Sequence, residues 1–123
     1  MHETAIVEGL IRILRDKARE NNIGRISVVR LKIGRLRGID IRQIRGCFEL
    51  FAEGTLAEGA RLDIDEIPVS ARCRRCETVW VTQNYRLECP SCQAGDAEII
   101  AGRELYIETF EGERTETSAS VED

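Results

Sequence analysis

Two closely spaced pairs of cysteines constrain this chain of 123 residues more than any other feature of its sequence. Cys73 and Cys76 form one Cys-x-x-Cys pair, Cys89 and Cys92 form the second, and twelve residues separate the pairs. Two intervening residues allow both sulfurs of a tight turn to face one ion, so two such turns complete a tetrahedral site that suits zinc. Residues 70–101 are therefore predicted to be a zinc ribbon, which is too small to fold without its metal.

Other interpretations of the cysteines stay open at this point. Rubredoxin-like iron sites use a similar spacing, and a single Cys-x-x-Cys pair can perform redox chemistry. Arg74, Arg75 and Arg86 could contact phosphate, which makes a nucleic-acid-binding or protein-interaction ribbon the alternative function. The fifth cysteine, Cys47, falls on the apolar stripe of a predicted helix and is interpreted as a small core residue.

The composition is typical of a soluble globular protein, with 42% hydrophobic and 33% charged residues. We find no apolar run that could span a membrane and no signal-peptide pattern, so a cytoplasmic location with reduced cysteines is expected. The net charge of −4 argues against nucleic acid as the main partner. The sequence offers no nucleophile–base pair and no phosphate-binding glycine loop, so no enzymatic activity is predicted.

Apolar periodicity predicts two helices, at residues 5–20 and 41–53. The first ends where asparagines and a glycine tolerate left-handed backbone. For the second helix, Asp40 is a natural N-cap, and Gln43 three residues later completes a capping box.

Alternating apolar and polar residues predict three strands, at residues 29–33, 62–67 and 103–110. A strand–helix–strand order implies a parallel pair with a right-handed crossover. The predicted fold class is therefore α+β, with a small mixed three-stranded sheet, two helices on one face and the inserted four-cysteine zinc ribbon.

The same elements predict the division of the chain into domains. Residues 1–69 are expected to form an α/β domain that is completed by a returning strand at residues 102–110. The ribbon at residues 70–101 is inserted between them. Residues 111–123 are rich in Gly, Ser, Thr and Glu and are predicted to form a disordered tail.

The N-terminus offers a second kind of metal site. The α-amine of Met1, the backbone nitrogen of His2 and its imidazole can chelate one ion through consecutive small rings, and Glu3 could add a carboxylate or an amide nitrogen. This nitrogen-rich, square-planar geometry favours nickel(II) or copper(II). His2 is the only histidine, and a lone terminal histidine is often incidental, so chemistry alone leaves the site undecided.

The chain resembles the HypA/HybF family, the nickel-insertion accessory proteins of NiFe-hydrogenase maturation. The resemblance covers roughly residues 1–108. It rests on the two cysteine pairs and on four further segments, namely Met1-His2-Glu3, Phe48-Glu49, Gly54-Thr55-Leu56-Ala57-Glu58-Gly59-Ala60 and Gly102-Arg103-Glu104-Leu105.

The resemblance implies a metallochaperone that carries two metals. Nickel would bind through Met1, His2 and Glu3, with Asp40 at a position where family members carry an acidic residue. The four cysteines would hold one structural zinc ion.

The resemblance also implies partners, namely a nickel-handling maturation GTPase and the hydrogenase large subunit, with urease served in some bacteria. The protein itself would be a monomer or a weak homodimer. Some members carry histidines directly after the cysteine pairs, where this chain has Glu77 and Gln93. Its ribbon therefore cannot exchange one of its own histidines for a cysteine at the zinc.

Overall fold

The computed structural model describes residues 3–82 and 84–115. Within these ranges the elements are, in order, α1 (Glu3–Glu20), β1 (Ile23–Gly34), a short 3-10 helix (Arg35–Arg37), α2 (Ile41–Ala52), β2 (Arg61–Ile67), β3 (Ser70–Cys73), β4 (Val79–Val81), β5 (Ala97–Ala101) and β6 (Leu105–Arg114). The strands form two sheets, with the orders β2-β1-β6 and β4-β3-β5. The predicted α+β class, with two helices, small mixed sheets and clustered cysteines, is confirmed.

The first helix buries one apolar stripe and packs against the second helix. Its buried side chains recur at three- and four-residue steps, namely Val7, Leu10, Leu14 and Ala18. Lys17 and Arg19 lie in the last turn, where cations interact favourably with the helix dipole. The helix stops before Asn22, whose φ of 58° is the left-handed conformation that asparagine tolerates. No helix in the described ranges is both long and apolar enough to cross a membrane.

The predicted N-cap of α2 is present. The Asp40 carboxylate accepts hydrogen bonds from the main-chain N–H groups of Arg42, at 3.0 Å, and Gln43, at 3.4 Å. The capping box assigns the Asp40 N–H to the Gln43 side chain, but this N–H donates to Oε2 of Glu3 at 3.1 Å. A residue 37 positions away thus replaces the local partner that the sequence predicts.

The apolar face of α2 differs slightly from the prediction. Ile44, Phe48 and Ala52 are fully buried. Cys47 is only half-buried, and its Sγ lies 3.7 Å from Oγ1 of Thr4. The prediction that Cys47 is a core residue is therefore only partly correct. The buried residues of α2 follow four-residue steps, and Cys47 lies at the margin of this stripe.

Strand β1 is central in its sheet and buries Val29, Leu31 and Ile33, as the alternation predicts. Ion pairs join β1 to β2 in matching order: Arg30 pairs with Asp63 at 3.9 Å, and Lys32 pairs with Asp65. Partner numbers rise together along the two strands, which indicates the parallel pairing that the strand–helix–strand order predicts.

Strand β6 pairs with the other edge of β1 and runs in the opposite direction. The N–H of Thr115 donates to the carbonyl of Asn22 at 2.9 Å, while the N–H of Gly34 donates to the carbonyl of Glu104 at 2.7 Å. The start of β1 therefore meets the end of β6, which makes the sheet mixed.

The last strand is longer than predicted, because residues 111–114 belong to it and not to a tail. Glu111 accepts a hydrogen bond on its carbonyl from Ser27 Oγ at 3.2 Å and one on its carboxylate from Arg30 at 2.7 Å. Cross-strand polar contacts extend the strand where the sequence has almost nothing to bury. The rest of the predicted tail, residues 116–123, lies outside the described residues.

Packing divides the described residues into two compact units. The N-terminal unit comprises residues 3–31, 39–64 and 107–115, and the ribbon unit comprises residues 32–38 and 65–106. The ribbon unit is thus larger than the ribbon at residues 70–101, since it includes the ends of β1 and β2 and the start of β6. The predicted domain boundaries themselves stay a prediction.

Two glycines allow a close backbone crossing inside the ribbon unit. The N–H of Leu36 donates to the carbonyl of Gly102 at 2.9 Å. A Cβ on Gly34 would lie only 2.0 Å from that same carbonyl oxygen, and Gly102 itself has a φ of 118°. Glycine is therefore required at both positions, one for close approach and one for its dihedral angle. This crossing fixes the 3-10 helix relative to residues 102–104.

Candidate metal centre

The first cysteine pair forms a compact turn at the end of β3. The N–H of Cys73 donates to the carbonyl of Thr78 at 2.9 Å, and the N–H of Glu77 donates to the carbonyl of Cys73 at 2.9 Å. The N–H groups of Arg75 and Cys76 both lie 3.4 Å from the Cys73 sulfur. Glu77 closes the turn with a φ of 67°, a left-handed conformation.

The second pair repeats this arrangement bond for bond. The N–H of Cys89 donates to the carbonyl of Ala94 at 3.0 Å, and the N–H of Gln93 donates to the carbonyl of Cys89 at 2.9 Å. Ser91 and Cys92 direct their N–H groups to the Cys89 sulfur at 3.3 and 3.4 Å. Gln93 has a φ of 62°. We call these two turns the first knuckle (residues 73–78) and the second knuckle (residues 89–94).

The two knuckles bring all four predicted cysteines together. Their ligand sulfur atoms lie within 4.8 Å of one another, with 3.6 Å between Cys73 and Cys92 and 3.5 Å between Cys76 and Cys89. A tetrahedral ion with metal–sulfur bonds of about 2.3 Å requires sulfur–sulfur distances of about 3.8 Å. These separations are far too long for disulfides and close to those of a four-thiolate metal site.

The surroundings of two of the cysteines shift their pKa values in opposite directions. The Thr78 hydroxyl, its main-chain N–H and the neighbouring Cys89 thiol lower the pKa of Cys76 to about 6. The main chain at Ala94 lowers the pKa of Cys92, but the Cys73 thiol and burial outweigh it and raise this pKa to about 11. Like charges this close cannot all ionise, so four thiolates require a bound cation.

The donor set identifies the class of metal that fits. Four thiolates in tetrahedral array suit zinc or iron and exclude the hard cations magnesium and calcium, which prefer oxygen. Backbone N–H groups directed at Cys73 and Cys89 stabilise the two buried sulfurs in their charged form. The cluster is therefore a four-cysteine metal-binding site.

The sheet of the ribbon unit positions the first knuckle and neutralises nearby basic residues. Strand β3 lies between β4 and β5 and is antiparallel to both, and it buries Ala71 and Cys73. Arg72 forms an ion pair with Glu98 at 2.8 Å, and Arg74 forms one with Asp96 at 2.9 Å. Arg74 is thus paired with a carboxylate, which weakens the interpretation of this knuckle as a phosphate-binding surface.

The structure describes half of the predicted nickel ligands. Glu3 and Asp40 lie side by side, joined by the hydrogen bond from the Asp40 N–H to the Glu3 carboxylate. This bond is the main cause of a lowered pKa at Glu3, followed by a hydrogen bond from the main chain of Glu3 itself. Met1 and His2 lie outside the described residues.

Two features of these sites have little or no signal in the sequence. The Thr78 hydroxyl lies 3.1 Å from the Cys76 sulfur, and a threonine two residues after a cysteine gives only a weak hint of this contact. The contact between Glu3 and Asp40 joins the starts of two helices, and periodicity within either helix cannot predict it.

Comparison with known proteins adds independent findings. Residues 1–112 match a family model described as "HypA: Hydrogenase/urease nickel incorporation, metallochaperone, hypA". A hydrogenase maturation factor HypA from Moorella thermoacetica is 41% identical over 113 residues, which cover 92% of this chain and 100% of that protein. The factor of the same name from Dehalococcoides mccartyi is 38% identical over 111 residues, covering 90% and 93%. The solution structure of the Ni metallochaperone HypA from Helicobacter pylori has a TM-score of 0.68 at 27% identity, covering 94% of this chain and 100% of that one.

Proposed function

Because this chain belongs to the HypA family of nickel metallochaperones for hydrogenase maturation, we propose that it binds one nickel(II) ion at its N-terminus and acts without catalysis. The ligands would be the Met1 α-amine, the backbone nitrogen and imidazole of His2, and Glu3, with Asp40 as a neighbouring carboxylate. The recipient would be the hydrogenase large subunit, and we extend the same role to urease.

The contact between Glu3 and Asp40 is the observation that supports this proposal most directly. Both cap bonds of Asp40 use its Oδ1, which leaves Oδ2 as a metal donor, and the Glu3 carboxylate lies beside it. Glu3 begins α1, and Met1 and His2 directly precede it in the sequence. Nitrogen donors from Met1 and His2 and oxygen donors from the two carboxylates would then converge on one ion.

A cargo ion must be held specifically and released readily. Amine and imidazole ligands must lose their protons to bind a metal, so acid or a partner's contacts can displace them. A terminal chelate meets this requirement better than the four thiolates, which are partly buried and hydrogen-bonded within two knuckles. Nickel would therefore be transferred while the cysteines keep their metal.

We assign zinc to the four-cysteine site and a structural role to that ion. Zinc is the usual occupant of a closed tetrahedral thiolate site, and the four sulfur atoms lie within 4.8 Å of one another. Reduced thiols are needed to bind it, in accord with a cytoplasmic location. The partners would be a nickel-handling maturation GTPase and the hydrogenase large subunit.

A nickel titration with metal analysis tests the terminal site. The native protein is expected to bind one nickel ion per chain, and four glycines added before Met1 should weaken binding at least tenfold because they move the chelating amine away from His2. A longer extension is needed because a single added glycine would place His2 third in the chain, where a new amine, two amide nitrogens and the imidazole form another square-planar nickel site. His2→Ala should weaken nickel binding similarly. The matched control carries the same four glycines at the other end of the chain and should bind nickel as the native protein does. Intact mass establishes that Met1 is retained, and unchanged affinity in the extended protein would overturn the proposed ligand set.

Two substitutions at Asp40 separate its role as a helix cap from its role as a ligand. Asparagine caps helices as well as aspartate does, so Asp40→Asn should preserve thermal stability while removing an anionic donor and lowering nickel affinity several-fold. Asp40→Ala should also cost about 1 kcal/mol of unfolding free energy. Nickel affinity that is the same in Asp40→Asn and native protein would leave Asp40 as a cap alone.

A further inference from the structure

Strand β4 is an edge of the ribbon sheet, and its main chain uses only alternate residues to pair with β3. The carbonyl of Thr78 accepts from the N–H of Cys73 at 2.9 Å, and the N–H of Thr82 donates to the carbonyl of Val69 at 2.8 Å. In an antiparallel pair the groups that bond across the ladder alternate with groups that point away from it. The main chain of Trp80, two residues from each bonded position, faces β3 as well.

Val79 and Val81 therefore direct their N–H and C=O groups away from the sheet. Their side chains are also uncovered, with 56% and 55% of each exposed. Two adjacent outward positions offer as many as four main-chain hydrogen bonds and two β-branched contacts on one face. An edge with these properties accepts an added strand.

A cavity of about 370 Å³ adjoins β4 at its Val81 end. It is lined by Arg35, Pro68, Val69, Val81, Thr82, Asn84 and Tyr85. Arg35 is the only charged residue among these described lining residues. The cavity therefore presents a positive charge that the residues around it do not neutralise.

Arg35 is held in place by its main chain while its side chain stays available. Its carbonyl accepts from the N–H of Gly38 at 3.2 Å, and the next residue, Leu36, donates to Gly102 across the glycine crossing. Over residues 3–82 and 84–115, no acidic side chain forms an ion pair with it. A guanidinium on an anchored main chain, with no carboxylate paired to it, is suited to bidentate recognition of a carboxylate from another molecule.

The far wall of the cavity is a constrained loop. Asn84 and Tyr85 both have left-handed backbone, with φ values of 58° and 57°, and Thr82 Oγ1 donates to the carbonyl of Arg86 at 2.6 Å. Such dihedral angles are costly for residues other than glycine and persist only where the surroundings impose them. The loop leaves 60% of Tyr85 exposed beside the cavity.

We propose that the β4 edge and the Arg35 cavity together form a docking site for an extended segment of a partner protein. The segment would carry two apolar residues that alternate with a polar one, opposite Val79 and Val81. An aspartate or glutamate just beyond the Val81 end would pair with Arg35. Main-chain bonds would supply affinity, and the carboxylate would fix register.

The short length of β4 favours a partner's segment over a second copy of this chain. Pairing of two β4 strands would join only three residues from each copy and bury far less area than stable interfaces require. A longer segment continues past β4 into the cavity and gains the charge-assisted contact that the edge alone lacks. This surface lies in the ribbon unit, and it does not depend on the proposed nickel site in the N-terminal unit.

The direct test selects random peptides of twelve residues against the metal-loaded full chain. Selected sequences are expected to share two β-branched or other apolar residues at alternate positions, with an acidic residue beyond them. Replacing that acidic residue of the peptide by its amide should weaken peptide binding to the native protein at least fivefold. The same replacement should change peptide binding to the Arg35→Gln variant little. The proposal would be overturned if the amide peptide lost the same affinity for the native protein and for Arg35→Gln. It would also be overturned if the selected peptides lacked this pattern of apolar and acidic residues.

A main-chain test uses the same selected peptide, with binding followed by fluorescence anisotropy. Val79→Pro removes an N–H that points away from β3, so the internal ladder is preserved while peptide affinity should fall more than tenfold. The matched control Val79→Thr keeps the N–H and the β-branch and should stay within about threefold. One metal ion per chain reports that each variant is folded, and if Val79→Pro does not fold, the Arg35→Gln comparison decides alone. Sedimentation that shows native copies associating through this edge would contradict the proposal.

Discussion

Withdrawing the metal from the four cysteines is expected to unfold residues 70–101 and produce the largest loss of stability available in this chain. The strands of this sheet have only three to five residues, and few of their side chains are buried. Ligation of zinc by four thiolates contributes on the order of 10 kcal/mol near neutral pH. Without the ion, neighbouring thiolates repel one another or must be protonated.

Cys73→Ser tests this expectation without a chelator, since a serine oxygen is a poor ligand for zinc. We expect loss of bound metal, collapse of amide dispersion for residues 70–101 in NMR spectra, and altered fluorescence of Trp80 in β4. The matched control is Cys47→Ser, which replaces a half-buried thiol outside the cluster and should keep one metal ion per chain. Full metal content and native spectra in Cys73→Ser would show that the ribbon does not depend on its four-sulfur site.

The second large effect is expected at the glycine crossing in the ribbon unit. Gly34→Ala places a methyl carbon 2.0 Å from the carbonyl oxygen of Gly102 and 2.6 Å from the nitrogen of Arg103. These are main-chain atoms and cannot move aside as the end of a flexible side chain could. We expect a loss of at least about 3 kcal/mol in unfolding free energy, because one of the crossing segments must shift.

Chemical denaturation followed by circular dichroism measures this loss. The matched control is Gly95→Ala in the same unit, where an added Cβ has no atom within 4 Å and φ is not left-handed. That substitution should be neutral or stabilise by up to about 1 kcal/mol, since it restricts the unfolded chain. Equal stability of Gly34→Ala and Gly95→Ala would contradict the close approach at Gly34.

The features that could be predicted from the sequence are those set by local spacing. The spacing within each cysteine pair specifies its turn, and Asp40 lies two and three residues before the N–H groups that it caps. The alternation of apolar and polar residues around Val29 indicates a strand with one buried face. In each case the residues that interact lie within a few positions, so periodicity carries the information.

Contacts between distant residues explain what could not be predicted. The end of β6 is held by bonds from Ser27 and Arg30 to Glu111, more than 80 positions apart, and composition there suggests a tail. Glu3 takes the place expected of Gln43 because the tertiary fold brings α1 to the cap of α2. Tertiary packing determines which partner a polar side chain meets, and the periodicity of the sequence contains no information about that packing.

The repeated hydrogen bonds of the two knuckles also bear on the order in which the ribbon assembles. Each knuckle closes through contacts that span only six residues, whereas joining the two must also close the twelve-residue segment between the cysteine pairs. Short loops form on a timescale of tens of nanoseconds and lose little entropy, and longer closures cost more. Either turn can therefore present two thiolates before the sheet exists. An incoming ion would be captured in two steps, and its first ligation would guide the folding that completes its own site.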